Sequence, residues 1–313
     1  MKNTKPVYSV VIPVYNSEKI LDELHDRLVQ VFDNVVKESF EVIYVDDASM
    51  DNSWQVLTSI KHKDERIKII QLLTNSGQHN ATICGFNYAN GDYVITMDDD
   101  LQHLPEELPT LINEVKENDK ADVVIGSYIQ KKHSLSRNIG TNLLNRLTSH
   151  IFKKPLNLKL TSFRIMRKNI VEALLKINVD SPRIGNLLLL LTDRISNVPV
   201  KHEERKIGNS GYSIRRLIKD TLDNILSYSS LPLRFMIFIG FLSSIICFLL
   251  TFYYLYRYFF IGIAVPGWTT VTLLLLFFFG ITLFSIGVIG EYLIRIVKEA
   301  KKYPQYIIRQ KVT

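Results

Sequence analysis

The chain has 313 residues, a formal net charge of +7 and 47% hydrophobic residues, enough for a domain with a full core. Its two cysteines, Cys84 and Cys247, lie far apart in the sequence, which excludes a disulfide framework and a cysteine-based metal site. The short polar stretch from Met1 to Lys5 lacks the apolar core of a signal peptide, so we expect the first domain to stay in the cytoplasm.

Apolar runs with strand character alternate with helical patterns through the first part of the chain. The predicted strands are residues 8–16, 41–45, 67–73, 93–97 and 123–127. Between them, apolar residues recur at helical spacing, as in Ile20, Leu21, Leu24, Leu28 and Val31. This alternation predicts an α/β domain with a mostly parallel sheet. Ligands of such sheets bind at the carboxyl ends of the strands, where the polar clusters at Asn16, Asp47 and Asp98 fall.

Three consecutive carboxylates, Asp98, Asp99 and Asp100, follow the fourth predicted strand. Alternation along the chain puts Asp98 and Asp100 on one side and Asp99 on the other. Such a pair can share one hard cation, Mg²⁺ or Mn²⁺, whose coordination shell is completed by phosphate oxygens. The alternative is a solvated acidic turn that caps the helix starting near Pro105. No glycine-rich phosphate loop follows the first strand, so a bound nucleotide would need a metal for its diphosphate.

The C-terminal third predicts a membrane anchor. Two uncharged spans, about residues 235–256 and 269–290, are each long enough to cross a bilayer. Basic residues flank both spans on the same side, which predicts a two-helix hairpin with both flanks in the cytoplasm. Residues 213–232 predict an amphipathic helix, packed on the domain or lying at the membrane surface. We therefore expect an α/β domain at 1–212, a membrane segment at 233–294 and a basic cytoplasmic tail at 295–313.

Three motifs of the first domain resemble the signatures of inverting family 2 glycosyltransferases with the GT-A fold: VIPVYN at 11–16, VDDASMD at 45–51 and MDDDLQ at 97–102. Further stretches are similar to polyprenyl-phosphate glycosyltransferases, a group that includes dolichol-phosphate mannose synthases, bactoprenol glucosyltransferases and aminoarabinose transferases. They are NSGQHNA at 75–81, SFRIMR at 162–167, ERKIGNSGYS at 204–213 and GVIGEYLIRI at 287–296. The resemblance covers nearly the whole chain.

The resemblance implies site residues and partners. The nucleotide-sugar donor, a UDP-sugar, would bind at Pro13, Tyr15, Glu18, Val45, Asp47, Asp98 and Asp99. The metal, Mg²⁺ or Mn²⁺, would be held by Asp98, Asp100 and Gln102. The acceptor, a polyprenyl phosphate, would meet Arg205, Ser210 and Arg164. The protein would be a homo-oligomer in the inner (plasma) membrane, in contact with the lipid bilayer and without a nucleic-acid partner.

The sequence lacks two positively charged residues that many members of the resembled family carry. Tyr128 stands where many relatives carry an arginine, and Asn209-Ser210-Gly211 stands where relatives have Glu-Ser-Lys. These departures leave open a non-catalytic, membrane-anchored nucleotide-sugar-binding or assembly protein.

Some single residues also have two interpretations. Arg164 and Arg167 suit either a water-facing short helix or an alternating strand. We expect His79 and His103 to be hydrogen-bonded or solvated rather than to bind a metal.

Overall fold

The computed structural model describes residues 5–128, 158–177, 182–201, 267–300 and 304–313, together with scattered positions at 155, 179, 203 and within 235–260. The chain divides into two compact units. The first comprises Met1–Ser210 together with Tyr303–Thr313, and the second comprises Gly211–Lys302.

The first unit contains an eight-stranded sheet. Its strands are β1 (Tyr8–Val14), β2 (Phe40–Asp46), β3 (Ile67–Leu72), β4 (Tyr93–Thr96), β5 (Val123–Tyr128), β6 (Arg164–Arg167), β7 (Ile195–Val200) and β8 (Ile308–Val312). Their order across the sheet is β7-β5-β6-β4-β1-β2-β3-β8. Strands β6 and β8 pair antiparallel with their neighbours, and the other pairings are parallel.

Helices cover both faces of this sheet. They are α1 (Leu21–Val31), extended by a π-helical turn at Phe32–Val36, α2 (Ser53–Lys63), α3 (Gln78–Phe86), α4 (Leu108–Glu117), α5 (Lys168–Leu175) and α6 (Ile184–Leu191). A 3₁₀ turn at Pro105–Glu107 leads into α4. The proline at its first position has a φ angle already suited to a helix.

The core explains why the central strands read as continuous apolar runs. Every residue of β1 and β2 is buried, because helices lie above and below them. Leucines of α1, α2 and α4 pack on one face with Val10 and Ile12. On the other face α3 comes so close that a Cβ at Gly85 would lie 2.3 Å from Val11 Cγ1. A glycine is therefore required at this crossing.

All five predicted strands are present, so the α/β prediction is confirmed. The sequence left β6 open between a short helix and a strand, and it did not predict β7 and β8. β6 is only four residues long and begins and ends with arginine, and β7 contains Pro199. The expected basic tail at 295–313 is not free throughout, because β8 pairs antiparallel with β3. There the backbone N–H of Leu73 donates to the carbonyl of Ile307 at 2.7 Å.

The second unit contains a long helix, α7 (Trp268–Ala300). Among the described residues, its stretch Phe277–Ile294 is the one helix long and apolar enough to cross a membrane. Most of the predicted first span, about 235–256, and the predicted amphipathic helix at 213–232 lie outside the described residues. The two-helix hairpin therefore stays a prediction.

Candidate active site

The loops that follow β1 and β2 are locked to each other at the carboxyl edge of the sheet. Asn16 has a left-handed backbone, with φ of 54°. Its side-chain Oδ1 accepts a hydrogen bond from the N–H of Met50 at 2.8 Å, and its own N–H donates to Ser49 Oγ at 3.0 Å. Asparagine tolerates this conformation better than most residues. The two loops therefore form one continuous surface beside the end of β4.

The side chain of Asp99 points toward the loop after β1. Its carboxylate accepts hydrogen bonds from the backbone N–H of Tyr15 at 3.1 Å and from the hydroxyl of Ser17. Burial, opposed by these hydrogen bonds and reinforced by Asp98 and Asp100, raises the pKa of Asp99 to about 6. Asp99 therefore ties the end of β4 to the loop after β1.

Asp98 points the other way, as alternation predicts. Its Oδ2 accepts from the hydroxyl of Ser162 at 2.7 Å, and its Oδ1 accepts from the side-chain amide of Gln78. Burial and the neighbouring Asp100 raise the pKa of Asp98 to about 6. The side chain keeps 28% of its surface exposed, so a ligand can reach it. The end of β4, the first residue of α3 and the segment just before β6 thus fix this carboxylate.

Asp100 and Gln102 lie on a tight turn after β4. Asp100 Oδ1 accepts from the N–H of Gln102 at 3.1 Å, and Leu101 between them has φ of 57°. Among the described residues, no three His, Cys, Asp or Glu side chains converge into a cation site by themselves. The residues still fit a divalent cation, because Asp98 and Asp100 are oxygen donors whose mutual repulsion a cation would relieve. The remaining ligands would have to come from substrate.

Arg164 is the buried cation of the site. It opens β6, is 3% exposed, and donates from Nε to Thr96 Oγ1 at 3.1 Å. None of the described residues accepts a hydrogen bond from its Nη1. Burial lowers the pKa of Arg164 to about 10, opposed by the nearby Asp98, so the group stays charged at neutral pH. The water-facing helix is therefore the wrong interpretation for Arg164, and the alternating strand is correct.

His103 holds the backbone at the start of the carboxylate cluster. Its Nδ1 accepts from the backbone N–H of Asp98 at 3.0 Å, and its Nε2 meets the hydroxyl of Tyr128. An acceptor at Nδ1 puts the proton on Nε2, so the ring donates to Tyr128. The imidazole stacks on Phe163 with centroids 5.1 Å apart and is 3% exposed. The prediction of a hydrogen-bonded histidine is confirmed.

The expected nucleotide-pocket residues do not all line a surface. Tyr15 is 46% exposed at the end of β1, whereas Pro13 is buried in that strand. Val45 is fully buried beneath α3, in the core rather than at a pocket wall. Glu18 accepts from both the backbone and the side-chain amide of Asn52, at 2.9 and 3.0 Å. It therefore joins the loop after β1 to the start of α2.

Asp47 also has a structural task. Its two carboxylate oxygens accept from the backbone N–H groups of Ser76 and Gly77, at 2.7 and 2.9 Å. Burial, opposed by these two bonds, raises the pKa of Asp47. A base could use only the remaining lone pairs of this carboxylate. Asp47 thus holds the loop between β3 and α3, which delivers Gln78 to the site.

Two of the expected residues, Arg205 and Ser210, lie outside the described residues. Three site residues were not predicted: Ser17, Gln78 and Ser162. Each follows or lies within a motif of the sequence analysis, but their partners are Asp98 and Asp99, distant in sequence. The pairing of β4 with β1 and β6 brings Ser17 and Ser162 to the carboxylates, and α3, which follows β3, brings Gln78.

Comparison with known proteins shows which family matches this chain. The family model described as glycosyl transferase family 2 matches residues 9–175, which include β1 to β4 and the carboxylates. The chain is 33% identical over 310 residues to an undecaprenyl-phosphate 4-deoxy-4-formamido-L-arabinose transferase of Yersinia pestis (strain Pestoides F), covering 97% of this chain and 93% of the relative. It is 31% identical over 304 residues to the uncharacterized glycosyltransferase YkcC of Bacillus subtilis (strain 168), with the same coverages.

Solved structures share the fold. The glucosyl-3-phosphoglycerate synthase of Mycobacterium tuberculosis, in complex with Mn²⁺, UDP and phosphoglyceric acid, superposes with a TM-score of 0.54 at 15% identity, over 71% of this chain and 77% of that one. The expected family is confirmed by the domain match and by the full-length relatives. This chain belongs to glycosyl transferase family 2.

Proposed function

We propose that this protein transfers a sugar from a UDP-sugar to the phosphate of a polyprenyl phosphate, such as undecaprenyl phosphate. The observation that carries the proposal is the cluster of Asp98, Asp99 and Asp100 at the end of β4, with the buried Arg164 on the next strand. The carboxylates offer oxygen ligands to a divalent cation, and the Arg164 guanidinium offers positive charge to a phosphate. Relatives named for transfer to undecaprenyl phosphate, alike over 97% of the chain, support the choice of acceptor.

The donor half of the site uses the carboxylates. Asp98 and Asp100, with Gln102, would hold Mg²⁺ or Mn²⁺ against the donor diphosphate. Bound there, the metal would offset the negative charge that develops on the leaving diphosphate. Asp99 would keep the loop after β1 in place through the Tyr15 N–H, and the exposed ring of Tyr15 would then face the nucleotide. A fold neighbour with bound UDP and Mn²⁺ supports this arrangement.

The acceptor half needs no strong base. A phosphate oxygen of the acceptor, ionised at neutral pH, forms the new bond to the anomeric carbon. The bond from that carbon to the diphosphate breaks, and its electron pair leaves with the nucleoside diphosphate. Attack from the face opposite the leaving group inverts the anomeric centre. The protein's task is to orient two anions, for which arginine is suited by its planar fork of donors. Arg205 and Ser210, assigned from their sequence motif, would contact the acceptor phosphate.

The acceptor also requires a membrane. A polyprenyl chain stays in the bilayer because each buried CH₂ contributes about 0.8 kcal/mol. We therefore propose a two-span anchor in the inner membrane with the catalytic unit at the cytoplasmic face. The apolar stretch Phe277–Ile294 of α7 supports one of these spans. Reporter fusions after Thr313 and within 261–268 should report opposite sides, and signals from the same side would contradict the hairpin. Homo-oligomer formation stays a prediction.

An assay of sugar transfer to undecaprenyl phosphate tests the proposal. The purified full-length protein in detergent would be incubated with undecaprenyl phosphate, Mn²⁺ and each of a panel of labelled UDP-sugars. We expect one sugar to appear in the lipid-phosphate fraction. Asp100→Asn should lose this product by orders of magnitude, while Asp119→Asn, an exposed carboxylate beyond α4, should keep it. Binding of a UDP-sugar without any transfer would instead favour the non-catalytic alternative.

A further inference from the structure

Both carboxylate oxygens of Asp98 accept hydrogen bonds from side chains of other elements. Its Oδ2 accepts from the hydroxyl of Ser162 at 2.7 Å, and its Oδ1 accepts from the side-chain amide of Gln78. Gln78 is exposed, so water competes for its bond, whereas Ser162 is half-buried. A hydrogen bond is electrostatically stronger where water is excluded. The orientation of the Asp98 carboxylate therefore depends mainly on Ser162.

The backbone of Ser162 is held by hydrogen bonds from two strands. Ser162 lies two residues before the start of β6, and its carbonyl accepts from the hydroxyl of Thr96 on β4. The next carbonyl, that of Phe163, accepts from the backbone N–H of Gly126 on β5 at 2.9 Å. Two successive carbonyls are thus bound from opposite sides of this segment. The Ser162 hydroxyl therefore reaches Asp98 from a fixed position.

The direction of the hydrogen bond from Thr96 is set by Arg164. The two residues are directly opposite each other in the antiparallel pair of β4 and β6. Arg164 Nε donates to Thr96 Oγ1 at 3.1 Å, and a guanidinium can only donate. The Thr96 oxygen must accept this bond, so its single proton remains for the carbonyl of Ser162. These bonds join four side chains into what we call the Asp98 network: Arg164, Thr96, Ser162 and Asp98.

Burial makes the inner part of the Asp98 network rigid. Arg164 is 3% exposed and Thr96 is 2% exposed. A change of rotamer at either residue would leave a buried donor or acceptor unpaired, which is costly. The network therefore forms when the protein folds, before any ligand binds. Asp98, at its outer end, keeps 28% of its side-chain surface exposed, so its remaining lone pairs are open to a ligand.

The geometry points to Ser162 and Thr96 as positioning residues for the divalent cation assigned to Asp98 and Asp100. This inference rests on the proposed function and adds the residues that hold one carboxylate ready before the donor arrives. Neither hydroxyl needs to touch the cation or the sugar, since both act through Asp98. A carboxylate already held in its binding orientation loses less conformational freedom when it binds, so the affinity for the metal increases. Hydrogen-bonding partners of metal ligands typically change metal affinity by about tenfold to hundredfold.

Two matched substitutions, Ser162→Ala and Ser127→Ala, test the inference. Each removes one half-buried hydroxyl, but that of Ser127 donates to the main-chain carbonyl of Val198 at 3.2 Å rather than to a carboxylate. Mn²⁺ binding to the full-length protein in detergent with saturating UDP would be measured from the electron paramagnetic resonance signal of free Mn²⁺. We expect the Mn²⁺ dissociation constant to rise about tenfold to hundredfold in Ser162→Ala. In Ser127→Ala it should stay within about twofold of wild type.

Conservative variants distinguish positioning of Asp98 from a general loss of stability. Ser162→Thr keeps a hydroxyl and should bring the Mn²⁺ dissociation constant back to within about threefold of wild type. Thr96→Val keeps the shape of the side chain but breaks the Asp98 network in its middle, so it should raise the constant severalfold. Thr96→Ser keeps the hydroxyl and should not. If Ser162→Ala does not fold, the two Thr96 variants carry the test.

An unchanged Mn²⁺ dissociation constant in both Ser162→Ala and Thr96→Val would overturn the inference, as would a rise of equal size in Ser127→Ala. Transfer to undecaprenyl phosphate, measured on the same proteins, separates this result from the proposed function. Transfer by the wild type, with Mn²⁺ binding unchanged in the variants, would keep the function and refute the positioning role. The expected Mn²⁺ constants without any transfer by the wild type would refute the function and keep the positioning role.

Discussion

The imidazole Nδ1 of His103 accepts a hydrogen bond from the backbone N–H of Asp98 at 3.0 Å. This bond fixes the point at which β4 ends and the carboxylates begin. The histidine is itself held by stacking on Phe163 and by the Tyr128 hydroxyl. The position of the carboxylates proposed to hold the metal is therefore set by a residue that need not touch it. Tyr128 belongs to this support, since its ring also stacks on His103.

We expect His103→Phe to keep the stacking and to leave the Asp98 N–H without its acceptor. An unsatisfied buried donor costs about 1–3 kcal/mol. The melting temperature should fall, and the Mn²⁺ concentration for half-maximal activity should rise. Tyr128→Phe, which keeps the His103–Asp98 bond, should change both much less. Equal effects of the two substitutions would mean that the stacked rings, rather than the bond to Asp98, position the turn.

Removal of the metal should stop transfer. Asp98 and Asp100 repel each other without a cation, and the leaving diphosphate would lack its counter-charge. We expect excess chelator to abolish activity, and added Mn²⁺ or Mg²⁺ to restore it. Full activity in chelator would refute the metal assignment, and Asp100→Asn should not be rescued by any metal concentration.

The sequence predicted the carboxylate cluster because its signal is local. An apolar run that stops at three acidic residues can be recognised without any partner, and the alternation of Asp98 and Asp99 follows from the strand geometry. The burial of Arg164 could not be predicted in this way. A strand of four residues with arginine at both ends suits either interpretation, and only its pairing between β4 and β5 decides.

The sequence could not predict the hydrogen bonds that some site residues make with distant loops. Nucleotide binding by Asp47 and Glu18 stays a prediction, and the structure adds that their carboxylates accept hydrogen bonds from Ser76, Gly77 and Asn52. Such contacts arise when parallel strands bring their carboxyl ends together, and no spacing within one motif reports them. β8 was missed because its polar residues suit a tail, and an edge strand can carry charge on its exposed side.

The C-terminal strand should contribute to stability. β8 covers the edge of β3, and just before it the hydroxyl of Tyr306 accepts from the side-chain amide of Asn87 at 3.0 Å. Deletion of residues 304–313 should lower the melting temperature of the full-length protein by several degrees and promote aggregation, because it exposes the edge of β3. Arg309→Gln, at an exposed position of β8, is the control. An unchanged melting temperature after the deletion would show that β8 adds nothing to the unit.

The histidine at the amino end of α3 should make stability depend on pH. Burial and the neighbouring arginines lower the pKa of His79 to about 4, against about 6.5 in an unfolded chain. Between these values the unfolded state holds a proton that the folded state does not, so stability is lost as the pH falls below 6.5. The effect is at most about 3 kcal/mol near pH 4. Melting curves of His79→Gln should fall less steeply with acid than those of the wild type. Those of His62→Gln, at an exposed histidine, should match the wild type.

The last prediction compares the two arginines assigned to the acceptor. Both assignments come from sequence motifs, and the structure adds that Arg164 is buried, with no acceptor for its Nη1 among the described residues. Arg205→Ala should reduce transfer to undecaprenyl phosphate about tenfold to hundredfold at saturating donor, the loss of a charge-assisted contact of about 1.5–3 kcal/mol. Affinity for UDP with Mn²⁺ should persist, because the carboxylates remain. If both arginines bind the same phosphate, the Arg164→Lys and Arg205→Ala effects should be non-additive in the double variant. Full transfer by Arg205→Ala would leave Arg164 as the cation that orients the acceptor.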